Sequence, residues 1–362
     1  MRILLLLSFL CFSSFLLAQD KLQQARELGR QAIKKMDAGE IAASLELLEQ
    51  AQELDPDNID YPYEMAYAYY LDKDYLPALK ILKKLVKRED ANALVHQMLG
   101  NTYDMNQQTQ KAIAAYEEGL KLFPEVGILY LERGNMELKE ERYVEALDFY
   151  EKGIDVDPTF PSNYYWATRI YLSSSEKIWG LLYGEIFMNL ERNTSRTSDI
   201  SKQLYDAYTS SIQINKKNKK KYNIDINICK TMIISVKELE QKEGPKLPFC
   251  MIYGTNLTLS VAPNLERIDI NSLSAIRGRH IDNYYEQEHH KQYDNLLFQY
   301  QKLLQEKGHF NAYSHWILMK GDEPAFGAWL QKHEEEWEAF LTWFSENPLE
   351  ITKDNAFHSS QF

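Results

Sequence analysis

The side chains able to do chemistry in this 362-residue chain crowd toward its carboxyl-terminal third. Of eight histidines, His280, His289, His290, His309, His315, His333 and His358 lie there, with only His96 elsewhere. A zinc site needs ligands held on one face, such as two histidines four residues apart on a helix. His289 and His290 are adjacent, so on a helix they point about 100° apart. Glu286 with His290 is a pairing that solvated helices carry without metal. Hydrolase and nucleotide chemistry are equally unsupported: there is no Gly-x-Ser-x-Gly elbow, phosphate-cradling glycine run or dinucleotide fingerprint. Nor does one carboxylate pair stand out among 53 acidic residues. The expectation is no catalytic residue, no metal and no cofactor.

Three other groupings each have two readings. Cys229 and Cys250 form either a disulfide, closing a loop of about 21 residues in an oxidising compartment, or two buried thiols. The run Lys216-Lys217-Asn218-Lys219-Lys220-Lys221 could contact an anion or lipid headgroup. It lacks interleaved aromatics, which favours a solvated loop. Four of six tryptophans lie between Trp316 and Trp343, where Phe326, Trp329, Trp337, Phe340 and Phe344 recur at three- and four-residue spacing. They line a ligand pocket or dock the tail onto itself, and helical spacing favours docking. The formal net charge of −12 argues against nucleic acid and anionic membranes as partners.

The elements that must position these groups follow a fixed stride. Pro56, Asp90, Pro124 and Pro158 are evenly spaced, each ~34 residues after the last. Small residues keep the same phase at Ala32, Ala66, Gly100 and Gly134, and again twelve residues on at Ser44, Ala78, Ala112, Ala146 and Gly180. Two antiparallel helices can touch where both side chains are small, and each proline then ends the second helix. Tyr69, Tyr103 and Tyr171 fill the wider gap on the first helix, and Leu48, Leu82, Tyr116 and Tyr150 fill it on the second. Such a pair cannot bury its apolar face alone and must stack on neighbours.

On these residues the stretch 22–192 resembles a tetratricopeptide repeat array, with four clear repeats and a degenerate fifth. In the fifth, Thr168, Gly184 and Arg192 replace the small, aromatic and proline positions, so its second helix is expected to be longer or tilted. The resemblance implies a superhelix whose concave face, built from first helices, holds a peptide or helix of a partner. Its groove positions here would be Tyr63, Tyr67 and Tyr70 in the second repeat and Gln97, Asn101 and Asp104 in the third. Leu131 and Asn135 in the fourth and Tyr165 and Arg169 in the fifth complete the set. Asn101, Asn135 and Arg169 would step down the groove and hydrogen-bond an extended backbone. The family's lysine-rich clamp for acidic carboxyl-terminal peptides is not matched, since Lys139 is the only lysine nearby. An uncharged or mixed segment, bound with little salt dependence, is the expected partner.

Residues 1–18 read as a secretory signal peptide, with Arg2, an apolar run too short for a comfortable membrane span, and Ala18 before Gln19. Cys11 follows Phe9-Leu10 and so does not fit a lipoprotein signal. The mature protein is expected in the periplasm or secreted, with no integral span. Beyond the array, residues 193–243 are expected to form a helix pair, 201–214 and 224–241, across the basic loop. Residues 244–352 are expected to be mostly helical, with a short strand or hairpin over 249–261, and 353–362 to be disordered. The fold class is thus mainly α: a helix-turn-helix superhelix, then a helical carboxyl-terminal region with room for one short β-hairpin. Two functions follow. The first is a non-catalytic protein-interaction scaffold of the cell envelope. The alternative is a small-molecule or glycan-binding module, or an enzyme, centred on the aromatic region.

Overall fold

The computed structural model describes residues 2–218, 221–229, 247–262, 265 and 267–362. The chain divides into two units, Met1–Met136 and Glu137–Phe362.

The first unit is built from paired helices. They are α1 (Arg2–Asp37) with α2 (Ile41–Leu54), α3 (Asp60–Leu71) with α4 (Tyr75–Leu85), and α5 (Ala93–Met105) with α6 (Thr109–Leu122). The division falls within α7 (Gly127–Lys139). The point after Ala18 where leader cleavage is expected lies along α1. The in-phase small residues are where helices meet: Ala32, Ser44, Ala66, Ala78 and Ala112 are all fully buried. At Gly100 the approach is closest, since an added Cβ would stand 2.1 Å from the Tyr116 ring. Helices α2 and α6 stop at Leu54 and Leu122, two residues before Pro56 and Pro124. Proline bars continuation by crowding the preceding residue.

The turn inside each repeat keeps the stride of the prolines. Gly39, Lys73, Gln107 and Glu141 occupy the same place in successive repeats, and all adopt positive φ, between 57° and 77°. Only the first of these residue types announces a left-handed turn.

In the second unit α8 (Tyr143–Val156), α9 (Pro161–Leu172) and α10 (Lys177–Leu190) continue the pattern. Helix α10 has 14 residues, the same as α8, so the expected lengthening does not occur. What changes is its burial: every residue from Ile178 to Asn189 is buried. A helix covered on all sides must have partners all round. One is α11 (Ser195–Ser211), which begins one full stride after Pro161 and packs on both α9 and α10. It occupies the first-helix place of a further repeat, so the repeat architecture runs past residue 192. A reciprocal capping box of Thr194 and Thr197 starts it.

The first helix expected after the array, 201–214, is found as α11 up to Ser211, and a hairpin then takes the place of the expected basic loop and the start of the second helix. Strands β1 (Ile212–Asn218) and β2 (Lys221–Ile226) form an antiparallel hairpin, with Ile212 opposite Ile226 and Ile214 opposite Ile224. Isoleucines at two-residue spacing on both arms are a strand pattern, and it outweighs the helix reading. The basic run therefore spans the ends of two strands, with Lys219 and Lys220 outside the described residues, as are 230–241 of the expected second helix and the Gly244-Pro245 break expected after it. The hairpin expected over 249–261 is instead α12 (Phe249–Ser260). Its buried residues Phe249, Ile252, Tyr253, Asn256, Leu257 and Ser260 fall at three- and four-residue spacing, so packing periodicity prevails over β-branched composition.

The chain then forms α13 (Ile270–Glu286), α14 (Leu296–Glu306), α15 (Phe310–Leu318), α16 (Glu323–Leu330) and α17 (Glu334–Glu346). Gly308, at φ 78°, closes α14, and Asp322 caps α16 by accepting from Ala325 N. The tail is ordered rather than disordered: Phe357 is 3 % exposed, and its ring stacks on Tyr183 of α10. Burial of a large ring is what holds a segment that composition alone marks as mobile. Among the described residues no helix is long and apolar enough to cross a membrane.

Candidate functional site

In the first unit the predicted groove residues lie on α3, α5 and α7. Tyr63, Tyr67 and Tyr70 on α3 are half-buried and pack against the core around Ala66 and Leu82. The Tyr67 and Tyr70 rings stack at 6.4 Å, and Tyr70 meets Tyr75 at 5.9 Å. These tyrosines thus serve the interior while staying partly exposed. Leu131, at 9 % exposure, is withdrawn into the core.

The amides converge on a residue that the repeat frame did not point to. Glu132 of α7 accepts from Gln97 Nε2 at 2.8 Å, from Asn101 Nδ2 at 3.3 Å and from Asn135 Nδ2 at 3.2 Å. Tyr116 of α6 donates its hydroxyl to Asn101 Oδ1. Asn101 is therefore oriented from both sides and its amide is engaged, not waiting for a ligand. Burial, then the Glu132 and Asp104 carboxylates, hold the Tyr116 hydroxyl well above its ordinary pKa. Burial also raises Tyr70, followed by Tyr75, Glu132 and Asp104. The Tyr63 hydroxyl is pushed up to about 12 by burial and then by Glu64. Burial, then Asp60 and Asp37, raises Glu64 in turn. All three phenols stay protonated donors at neutral pH, near the carboxylates of Glu64, Asp104 and Glu132.

In the second unit Tyr165 is buried and Arg169 exposed, both on α9. Arg169 Nη1 donates to Tyr165 Oη at 2.6 Å and pairs with Asp199 of α11 at 3.6 Å. Tyr165 donates to Asp199 at 3.2 Å, and so does Gln203, at 2.8 Å. Asp199 could have been found in the sequence, because it stands one stride after Tyr165 and keeps the groove phase. Beside this network a cavity of about 540 Å³ is lined by Leu138, Tyr143, Trp166, Arg169 and Ile170. The Arg169 guanidinium lies 5.2 Å from the Trp166 ring centroid.

A family model described as tetratricopeptide repeat matches residues 98–161. That span holds nearly two full periods of the stride, with Gly100, Ala112, Pro124, Gly134, Ala146 and Pro158 all in place. The chain carries tetratricopeptide repeats. Solved structures of such proteins are similar over about half of its length. A thermophilic tetratricopeptide protein of Thermus thermophilus is 17% identical, covering 51% of this chain and 98% of that one, with a TM-score of 0.41. Pseudomonas aeruginosa pilF is 16% identical, covering 52% and 86%, with a TM-score of 0.43. YrrB, described as having an unusual peptide-binding site, is 18% identical, covering 47% and 87%, with a TM-score of 0.33.

The carboxyl-terminal aromatics pack on one another. Trp329 is sandwiched between His315 at 4.1 Å and His333 at 4.8 Å, and Phe344 meets both Trp316 and Phe340 at 4.9 Å. Cys229 and Cys250 are bonded, with Cα atoms 6.1 Å apart, tying the exit of the hairpin to the start of α12. Among the described residues no three His, Cys, Asp or Glu side chains are grouped as a metal site would need.

Proposed function

We propose that this protein is a non-catalytic interaction scaffold exported to the cell envelope, and that the first-helix face of its first unit holds an extended segment of a partner protein. The observation that carries this reading is the convergence of Gln97, Asn101 and Asn135 on Glu132 across two successive repeats. Three amides and a carboxylate within one network can exchange partners: an extended backbone would take the amide donors while Glu132 accepts from the ligand. Tyr67 and Tyr70 add ring faces for stacking or for a cation.

The Glu132 carboxylate at the centre of the network revises the expected ligand. A segment carrying lysine or arginine opposite Glu132 fits better than a neutral one, and its binding weakens as salt rises, because exposed charges are screened. A peptide-display selection followed by titration tests this. Selected peptides should be basic, and Glu132→Gln or the pair Asn101→Ala with Asn135→Ala should weaken them by about tenfold or more. Undiminished affinity in variants that keep the helical signal and melting temperature would refute the assignment. For export, amino-terminal sequencing of the purified protein should begin at Gln19; retained Met1, or lipid on Cys11, sinks that part of the reading.

A further inference from the structure

Residues 357–362 lie in the second unit as a bound peptide would. Phe357 stacks on Tyr183, with centroids 6.2 Å apart. Phe362 enters an aromatic cage, 4.7 Å from Phe249, 5.6 Å from Tyr293 and 5.7 Å from Trp179. Between these anchors Ser359 is held by polar contacts. Its backbone amide donates to Tyr183 Oη at 2.9 Å, and its hydroxyl donates to Glu151 Oε2 at 2.8 Å. His358 lies 3.7 Å from Asp155.

The receptor half of this arrangement also has contacts of its own, although the Tyr171 hydroxyl lies 3.2 Å from Ser359 Oγ as well. Tyr171 and Tyr183 both donate to Glu151 Oε1 at 2.8 Å, which fixes the carboxylate that Ser359 meets. Trp179 also stacks on Phe249 at 5.7 Å. The segment also has a hinge. Leu349 and Ile351 are each 6 % exposed and anchor the chain before it, whereas Thr352, Lys353, Asp354 and Asn355 are exposed. An exposed turn thus separates residues 357–362 from the anchored chain.

We infer that this cleft, between α8, α10 and α12, is a peptide-binding site for an aromatic-x-serine-x-x-aromatic segment, filled in cis by the chain's own residues 357–362 and able to take the same segment from a second copy. The fit in trans is ensured by identity of sequence, and exchange across an exposed hinge is a low-cost route to association. Two buried rings flanking a captured backbone amide give the affinity, and Glu151 gives the preference for a hydroxyl between them. The inference rests on the second unit alone and is independent of the groove reading.

The test uses the full-length chain with Phe357→Ala and Phe362→Ala, whose own tail no longer fills the cleft, and a fluorescent peptide of residues 355–362 as probe. The peptide should bind this variant saturably. It should bind the unaltered chain about tenfold or more weakly, because only the fraction of molecules with an open cleft is competent. Adding Glu151→Gln to the variant, or replacing the serine of the peptide with alanine, should weaken binding. A folded variant that does not bind, or equal binding to both chains, overturns the inference. A variant carrying only Phe362→Ala guards against misfolding. Should that chain also fail to fold, the segment is an obligate part of the core and the exchange is likewise excluded.

Discussion

The carboxylate of Glu185 and the guanidinium of Arg277 meet at 2.6 Å with side chains only 3 % and 4 % exposed. Glu185 is the one charge in the apolar stretch of α10, and Arg277 stands on α13, so the ion pair joins the fifth repeat to the carboxyl-terminal helices. Gln301 also donates to Glu185 Oε1, and Arg277 donates to Ser314 Oγ at 2.7 Å. Burial works most strongly against the arginine's charge, and Glu185 together with Tyr208, Tyr313 and Tyr253 offsets it, leaving its pKa above the ordinary value. Replacing Glu185 alone with alanine should cost ~3–5 kcal/mol, because a buried cation is left unpaired. Glu185→Leu with Arg277→Met should recover most of that loss, since an apolar pair of similar volume avoids the desolvation penalty. Urea unfolding of both variants decides it; a single variant as stable as the parent contradicts the role assigned to the pair.

His280 faces the same interior. Its ring lies 4.4 Å from Tyr253 and 5.6 Å from Phe298, and neither ring nitrogen has a hydrogen-bond partner. Burial, then the charge of Arg277, lowers its pKa to about 3. The unfolded chain takes up this proton near pH 6.5 and the folded one does not, so the contribution is fully present above about pH 6.5 and is lost as pH falls toward the folded value. Between pH 6.5 and 5 the loss should be ~2 kcal/mol. Burial also lowers His315, to about 4, which adds a loss of the same sign. His280→Phe should therefore flatten the fall in the urea midpoint between pH 7 and 5 without abolishing it. An unchanged pH dependence would show that His280 is not its source.

The repeat array was legible because its signal is periodic: Ala66, Gly100 and Ala112 mark helix contacts by size at a fixed spacing, and the structure buries each of them. Residues that act by meeting a distant partner were not legible. Glu132 lies off the groove phase, and only the fold brings Gln97 and Asn101 to it. Glu185 has no local mark of its role, because its partner Arg277 is 92 residues away. The hairpin was missed for a different reason. Its two-residue isoleucine spacing was present, but short arms leave helix and strand periods hard to separate. At Phe249 the opposite error arose, with composition weighed above period.

The bond between Cys229 and Cys250 spans 21 residues and closes a loop between β2 and α12. On the chain-entropy account it should stabilise the second unit by ~3 kcal/mol. Reduction, or Cys229→Ser with Cys250→Ser, should lower the unfolding midpoint accordingly. Peptide mapping without reductant should recover the two cysteines in one linked fragment. Separate fragments carrying free thiols would count against the bond.

The left-handed turns offer a test of the repeat itself. Gly39 at φ 77°, Lys73 at 63°, Gln107 at 59° and Glu141 at 57° occupy equivalent places in successive repeats, so the turn geometry is imposed by helix packing and not by residue type. A side chain in this region brings Cβ against the following carbonyl, at a cost of ~1–2 kcal/mol. Gly39→Ala meets no neighbour within 4 Å, so its effect isolates the backbone term. It should destabilise the first unit by ~1 kcal/mol. The reverse change, Gln107→Gly, relieves the same strain but adds disorder to the unfolded chain, a smaller opposing effect of ~0.4–1 kcal/mol. It should leave stability unchanged or slightly raised. Urea midpoints for the two variants moving in the same downward direction, by similar amounts, would mean that these turns are not strained and that the shared φ has no energetic consequence.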